Sequence, residues 1–334
     1  MAKGRERGTT PVRRHSSNTA KSSNTRSSPA NTTKRKPGGS KSHSAPGRAT
    51  HSRATHGNRA THGNRAKRQA GNIGGDQVEG RQSVRELLLA GKREVREIFL
   101  VAGQDTAPIL NDIIDLADEA KIPIRQVSRS RFETISRTEA PQGVVALAAP
   151  LRPVSLEDLV AGSKKTTANS ATTNSSSTNS EAKPFIVVVD SVVDPHNLGA
   201  LMRSAESAGV TGFVFSRHRS PKISPTVTKV AAGAVEHLPI AQANGIAGAL
   251  RDFTKMGIWN VGLDAAADMP IWKMNLADEP LALVLGSEGK GLSRLVRESC
   301  DLLVTIPLSG VIASLNVSAA GAIACFEVKR QREY

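Results

Sequence analysis

Cysteine is nearly absent: Cys300 and Cys325 are the only two in 334 residues, too few for a disulfide framework. Aromatic residues make up 3% of the chain, which excludes an extended platform on which successive bases stack. No secretory h-region and no apolar run long enough to cross a bilayer occurs, so a soluble cytoplasmic protein without a membrane partner is expected. Five of the eight histidines (His15, His43, His51, His56, His62) lie before residue 75, and His196, His218 and His237 have no Cys or His neighbours at ligand spacing. That pattern argues against a metal centre.

Acidic residues are missing from one region. Residues 1–75 hold 17 of the 45 Lys and Arg but a single acid, Glu6, so this stretch carries +16 while the rest of the chain sums to −1. It also lacks any apolar run and contains a short imperfect repeat, Arg53-Ala54-Thr55-His56-Gly57-Asn58 followed by Arg59-Ala60-Thr61-His62-Gly63-Asn64. Such a composition cannot build a core, and residues 1–75 are expected to form a disordered basic tail attracting phosphate without sequence preference.

Beyond the tail, residues 76–150 alternate helical and strand patterns, with helices at 81–90 and 107–120 and strands at 97–101, 124–127 and 144–148. This predicts a small α/β domain for gripping substrate. A run of Ser, Thr, Asn, Ala and Lys at 163–180 marks residues 151–183 as a flexible linker about which the two domains can move. From 184 to 334, strands at 185–190, 212–215, 258–262, 281–285 and 302–306 alternate with helices. They predict a mostly parallel sheet covered on both faces, with ligands at the C-terminal strand ends.

That sheet is not a dinucleotide fold of the common kind. Its first strand leads into Ser191-Val192-Val193-Asp194-Pro195 rather than a G-x-G-x-x-G turn, and Lys290 is followed by Gly291, which breaks a Walker A loop. Three other segments stand out. Asp194-Pro195-His196-Asn197-Leu198-Gly199-Ala200-Leu201-Met202-Arg203 carries a loop into a helix. Leu281-Ala282-Leu283-Val284-Leu285 ends in Gly286-Ser287-Glu288-Gly289-Lys290-Gly291. Leu303-Val304-Thr305-Ile306-Pro307-Leu308-Ser309-Gly310 runs through Ser314-Leu315-Asn316-Val317-Ser318 into a small-residue helix, a junction whose free N–H groups favour a polar or anionic ligand.

In this order the three segments resemble the motifs of the SpoU (TrmH-type) class of the SPOUT superfamily, and Val78-Glu79-Gly80 and Pro141-Gln142-Gly143-Val144-Val145 resemble the small domain that precedes them in bacterial members. The resemblance implies a trefoil-knotted methyltransferase domain, a homodimer, S-adenosylmethionine as cofactor, and 2′-O-methylation of a guanosine ribose in 23S ribosomal RNA. Transfer RNA as substrate and a non-catalytic ribosome assembly factor are the alternatives. Carried over by position, Gly286, Ile306, Leu308, Ser314 and Leu315 line the cofactor pocket, while Arg203, Asn197, Glu288, Asn316 and Ser318 form the catalytic set. From the residues alone, Ile306 and Leu308 read as plain strand positions and Gly286 as a turn glycine, and Asn197 is readable as a helix N-cap. Glu288 either caps the following helix or holds Arg203, which is expected to face the same loops as Asn197. A guanidinium is a reluctant base, so Arg203 is assigned to charge stabilisation. His196 is a rival base.

Overall fold

The structure, a computed structural model, describes residues 72–104, 107–165, 183–218, 220–312 and 314–333. The expected basic tail up to residue 71 and the linker from 166 to 182 lie outside the described residues. Two sheets organise the rest.

The first sheet contains β1 (Gln77–Glu79), β2 (Val95–Val101), β3 (Ile124–Val127) and β4 (Val144–Ala148), in the order β1-β4-β2-β3. Only the β2/β3 pair is parallel. Helices α1 (Arg81–Ala90) and α2 (Pro108–Glu119) bury Val84, Leu87, Leu110 and Ile113 against Val78, Ile98 and Val144. A third helix, α3 (Arg129–Ile135), and β1 have no counterpart in the sequence reading. Helix α3 is short and one Phe deep, and β1 is three residues long. Neither offers enough periodicity to detect.

Residues 151–165, expected to belong to the linker, carry structure of their own. Val154 bridges to Ala241, and α4 (Leu156–Lys165) follows. Leu156, Leu159 and Val160 recur at helical spacing and pack onto the second sheet, with Leu159 against Gly212. At the other boundary, Ile73, expected in the tail, is buried in that sheet's core beside a bridge from Gly74 to Ile223.

The second sheet holds β5 (Phe185–Val189), β6 (Gly212–Ser216), β7 (Ile240–Ala243), β8 (Trp259–Leu263), β9 (Leu281–Leu285) and β10 (Leu302–Val304), ordered β10-β8-β9-β5-β6-β7, with every pairing parallel. Both faces are covered, which is why its central strands read as unbroken apolar runs. Phe185, Val187 and Val189 face one core and Ile186 and Val188 the other. The first core lies beneath α5 (Pro195–Ser207), α6 (Pro225–Val230) and α9 (Val317–Glu333), the second beneath α4, α7 (Ile246–Lys255) and α8 (Arg294–Arg297). Close approach among the helices of the first layer depends on glycine. A Cβ at Gly199 would lie 2.8 Å from the carbonyl of Val227 in α6, and one at Gly321 would lie 2.3 Å from Leu201 in α5. The chain steps outward from β5 to β6 and β7, then returns beyond β5 to place β8, with β9 inserted between. Such a reversal leaves a crevice at the C-terminal strand ends.

Contrary to the expectation of domains free to move about a linker, polar contacts buried at their junction join them. Arg93, with its side chain 7% exposed, pairs with Glu236, 1% exposed. The contact is bidentate, with Nε donating to Oε2 at 2.9 Å. The second terminal nitrogen donates to the carbonyls of Gly75 and Ala149 at 2.6 and 2.7 Å. Ser83 adds a hydrogen bond from its hydroxyl to the carbonyl of Thr228, and Glu86 meets His237 at 3.0 Å.

Candidate active site

The loops after β8, β9 and β10 converge on one cleft at the C-terminal edge of the second sheet. Its floor is the turn after β9. Ser287 and Gly291 exchange two backbone hydrogen bonds of 3.0 Å, and Gly289 and Gly291 adopt positive φ angles of 73° and 65°, a conformation that favours glycine. Gly286 is required for another reason, because a Cβ there would lie 2.1 Å from the backbone of Gly291. The glycine spacing thus folds the turn back on itself and projects Glu288 from its tip. Asp190 secures the turn from beneath, one carboxylate oxygen accepting from Ser293 N–H at 3.1 Å and the other from the Ser191 hydroxyl.

All five residues expected to bind the cofactor, Gly286, Ile306, Leu308, Ser314 and Leu315, line this cleft. Ile306 and Leu308 lie beyond the end of β10, so they are loop residues and not the plain strand positions that composition alone permitted. Leu263, Asp264, Ala265 and Thr305 complete the wall and were not singled out from the sequence. Asp264 and Ala265 follow a strand with no motif to mark them.

Beside the cleft, three chain segments meet through side chains. Asn197 is buried in the first turn of α5, where the N-cap is Asp194. Asn197 is therefore free of the capping role that sequence left open. Its Nδ2 donates to Glu288 Oε1, and its Oδ1 accepts from Asn316 Nδ2 at 3.0 Å. Asn316 Oδ1 in turn accepts from the Ser318 hydroxyl at 2.6 Å and from the backbone N–H groups of Ser318 and Ala319. Asn316 thus starts α9 in the manner of an N-cap and also reaches across to α5. The result is a continuous chain, Ser318 to Asn316 to Asn197 to Glu288, in which each amide both donates and accepts.

Arg203 is not part of it. Six residues beyond Asn197 on α5, it is rotated by about 600° along the helix and so points about 120° away. Its side chain is exposed in a groove lined by Gln82, Glu86, Glu206 and His237, and it makes no ion pair with any described residue. The expectation that Glu288 holds Arg203 is corrected accordingly. Glu288 meets Asn197 instead, and the next helix, α8, takes Ser293 as its N-cap. His196 is exposed on the same side of α5 as Arg203, about two turns away. Among the described residues, no group of His, Cys, Asp and Glu is arranged to hold a metal ion, and no helix is long and apolar enough to cross a membrane.

A parallel α/β sheet with a glycine-turned cleft at the C-terminal ends of β8, β9 and β10, beside an Asn–Asn–Glu–Ser cluster, is the setting of a cofactor-dependent enzyme. Residues 184–326 match the SpoU rRNA methylase family, and residues 77–154 match the RNA 2′-O ribose methyltransferase substrate-binding family. The chain belongs to the SpoU rRNA methylase family. It is 34% identical over 77% of its length to the 23S rRNA (guanosine-2′-O-)-methyltransferase RlmB of Pseudomonas putida, covering 97% of that protein. It is 35% identical to the putative TrmH family tRNA/rRNA methyltransferase YacO of Bacillus subtilis, over 77% of this chain and 96% of that one. Among solved structures, an RNA 2′-O ribose methyltransferase superposes with a TM-score of 0.60 at 25% identity, covering 77% of this chain and 89% of the other. AviRb of Streptomyces viridochromogenes, solved with AdoMet, shares the fold at 23% identity with a TM-score of 0.61, over 81% of this chain and 94% of that one.

Proposed function

We propose that this protein transfers a methyl group from S-adenosylmethionine to the 2′-hydroxyl of a guanosine in bacterial 23S ribosomal RNA. The observation that carries the reading is the Ser318–Asn316–Asn197–Glu288 chain bordering a cleft lined by all five expected cofactor residues. The names of the RlmB relatives, all 23S rRNA guanosine-2′-O-methyltransferases, supply the substrate. The cleft suits the cofactor: Leu263, Ile306, Leu308, Leu315 and Val317 offer apolar surface for a flat base, and the ionisable side chains that line it among the described residues, Asp264 and Glu288, are acidic. When bound, the cofactor supplies an electrophilic methyl group. The hydrogen-bonded chain holds Glu288 and Asn197 in fixed orientation beside it, and α5, α9 and the β9 turn are locked together by the same bonds. We read the chain path through this cleft as the family's trefoil knot.

Arg203 requires a second copy of the chain. A guanidinium is a fixed positive charge and a reluctant base, and its role is to stabilise the alkoxide and position a phosphate. Within one chain it faces away from the cluster, on an exposed α5 stripe with His196. On α9, Ile323 and Phe326 are exposed one turn apart, and Val311, Ile312 and Leu315 are exposed in the preceding loop. An apolar face of this kind supports a homodimer in which Arg203 of one copy serves the cleft of the other. The +16 charge of residues 1–75 adds nonspecific phosphate affinity. The protein acts in the cytoplasm.

Mapping ribose methylation across ribosomal and transfer RNA, with and without the protein, tests the substrate. Loss of a single 23S guanosine mark is expected, and loss of a transfer RNA mark instead would replace the substrate. Mixing inactive Arg203→Ala and Asn316→Ala chains tests the shared site, because mixed dimers should regain part of the activity.

A further inference from the structure

Two ionisable side chains line the cleft among the described residues, and they stand at different strand ends, Glu288 after β9 and Asp264 after β8. Glu288 is committed to Asn197. Asp264 has no such tie to the hydrogen-bonded cluster. Its side chain is sunk in the wall at 14% exposure, and its placement is fixed from two sides. Oδ1 accepts the N–H of Ala266 at 2.9 Å, and Oδ2 lies 3.2 Å from Arg297 Nε, while the Asp264 N–H donates to the carbonyl of Val304 on β10. A carboxylate offers about four acceptor positions. These contacts occupy two, so the oriented carboxylate keeps acceptor capacity within the cleft.

We propose that Asp264 is a cofactor-binding residue that accepts hydrogen bonds from the ribose diol of S-adenosylmethionine. The assignment rests on the reading of the cleft as the cofactor site. The cofactor's donors are of two kinds, the cationic ammonium of the methionine part and the neutral ribose hydroxyls and adenine amine, and the two kinds compete for such a carboxylate. Arg297 decides between them. Its guanidinium partly neutralises Asp264 and repels a second cation, which disfavours the ammonium, whereas neutral hydroxyls meet no such penalty. Two adjacent O–H groups also match the paired oxygens of a carboxylate.

The test is calorimetric affinity of the full-length protein for S-adenosylmethionine and for 5′-methylthioadenosine, which keeps the diol but lacks the ammonium. Asp264→Asn retains an oxygen for the Ala266 N–H and should weaken both ligands by about tenfold to a hundredfold, the loss expected for a hydrogen bond to a charged acceptor. A loss for S-adenosylmethionine with unchanged methylthioadenosine affinity would overturn the diol assignment in favour of the ammonium. Unchanged affinity for both would overturn Asp264 as a binding residue. A wild-type chain that bound neither ligand would instead sink the proposed function. Should the variant fail to fold, the wild type decides: methylthioadenosine without its 2′ and 3′ hydroxyls should bind at least about tenfold more weakly than its parent, and equal affinity would refute the contact.

Discussion

Removing the Glu236 carboxylate, in Glu236→Gln, should loosen the junction between the two sheets. Both partners of the Arg93–Glu236 pair are almost fully buried, so the remaining guanidinium would keep its charge in a medium that solvates it poorly. Its hydrogen bonds to Gly75 and Ala149 survive the substitution. They moderate the loss, and the lower end of the range for breaking a buried pair applies, about 3 kcal/mol. For a folded region of this size, that amounts to a fall in Tm of about 6–12 °C if the protein unfolds as one unit. If the junction opens by itself, the cost appears locally. The N–H groups of Gly75 and Ile223, bonded to Ile223 and Ile73 respectively, should lose hydrogen-exchange protection while β5 and β9 keep theirs. Scanning calorimetry with hydrogen exchange read by mass spectrometry separates the two cases. The double variant Arg93→Met/Glu236→Leu should be less destabilised than Glu236→Gln, because it buries no unpaired charge. A Glu236→Gln protein with unchanged Tm and unchanged exchange at both amides would refute the reasoning.

Gly286→Ala should cost the turn its closure, since the new Cβ would meet backbone rather than a movable side chain; equilibrium dialysis with labelled S-adenosylmethionine should show strongly reduced binding, and native affinity would contradict the geometry. Burial first, and then the nearby Asp301, Asp264 and Asp190, push the Cys300 thiol up to about 12, and burial alone does the same for Cys325. At pH 8 both should therefore resist iodoacetamide in the native protein and react once it is unfolded in guanidinium, and rapid native labelling would count against this. Deleting residues 1–71 should weaken RNA binding chiefly at low salt and flatten its salt dependence without moving the methylated nucleotide, as the +16 carried by residues 1–75 implies. Methylation at a different nucleotide would show that the tail takes part in selection.

The sheet around the cleft was legible because burial on both faces writes itself into the sequence as apolar runs such as Phe185-Ile186-Val187-Val188-Val189. The strand at Ile240–Ala243 was not, since Gln242 interrupts it and only four residues pair. Glycines were informative wherever backbone geometry demanded them, as at Gly286, Gly289 and Gly291. The junction between the sheets was invisible. Arg93 and Glu236 lie 143 positions apart, and each alone reads as an ordinary surface charge. Composition likewise concealed Ile73, a single apolar residue between polar and glycine neighbours that the fold places in the larger core.

The contrast between Asn197 and Arg203 shows where a linear motif stops being a spatial one. Both belong to a segment of seven residues, and proximity in sequence invites the inference that both address one substrate atom. A helix turns by about 100° per residue, so positions 197 and 203 differ in direction by a third of a turn, and only Asn197 meets Asn316 and Glu288. For a segment of this kind to build a single reaction centre, the second residue needs another surface to act on. In the proposed homodimer that surface belongs to a second copy of the chain. On that proposal the two directions of one short helix serve two sites: Asn197 completes the cleft of its own chain, and Arg203 is left free to serve that of another.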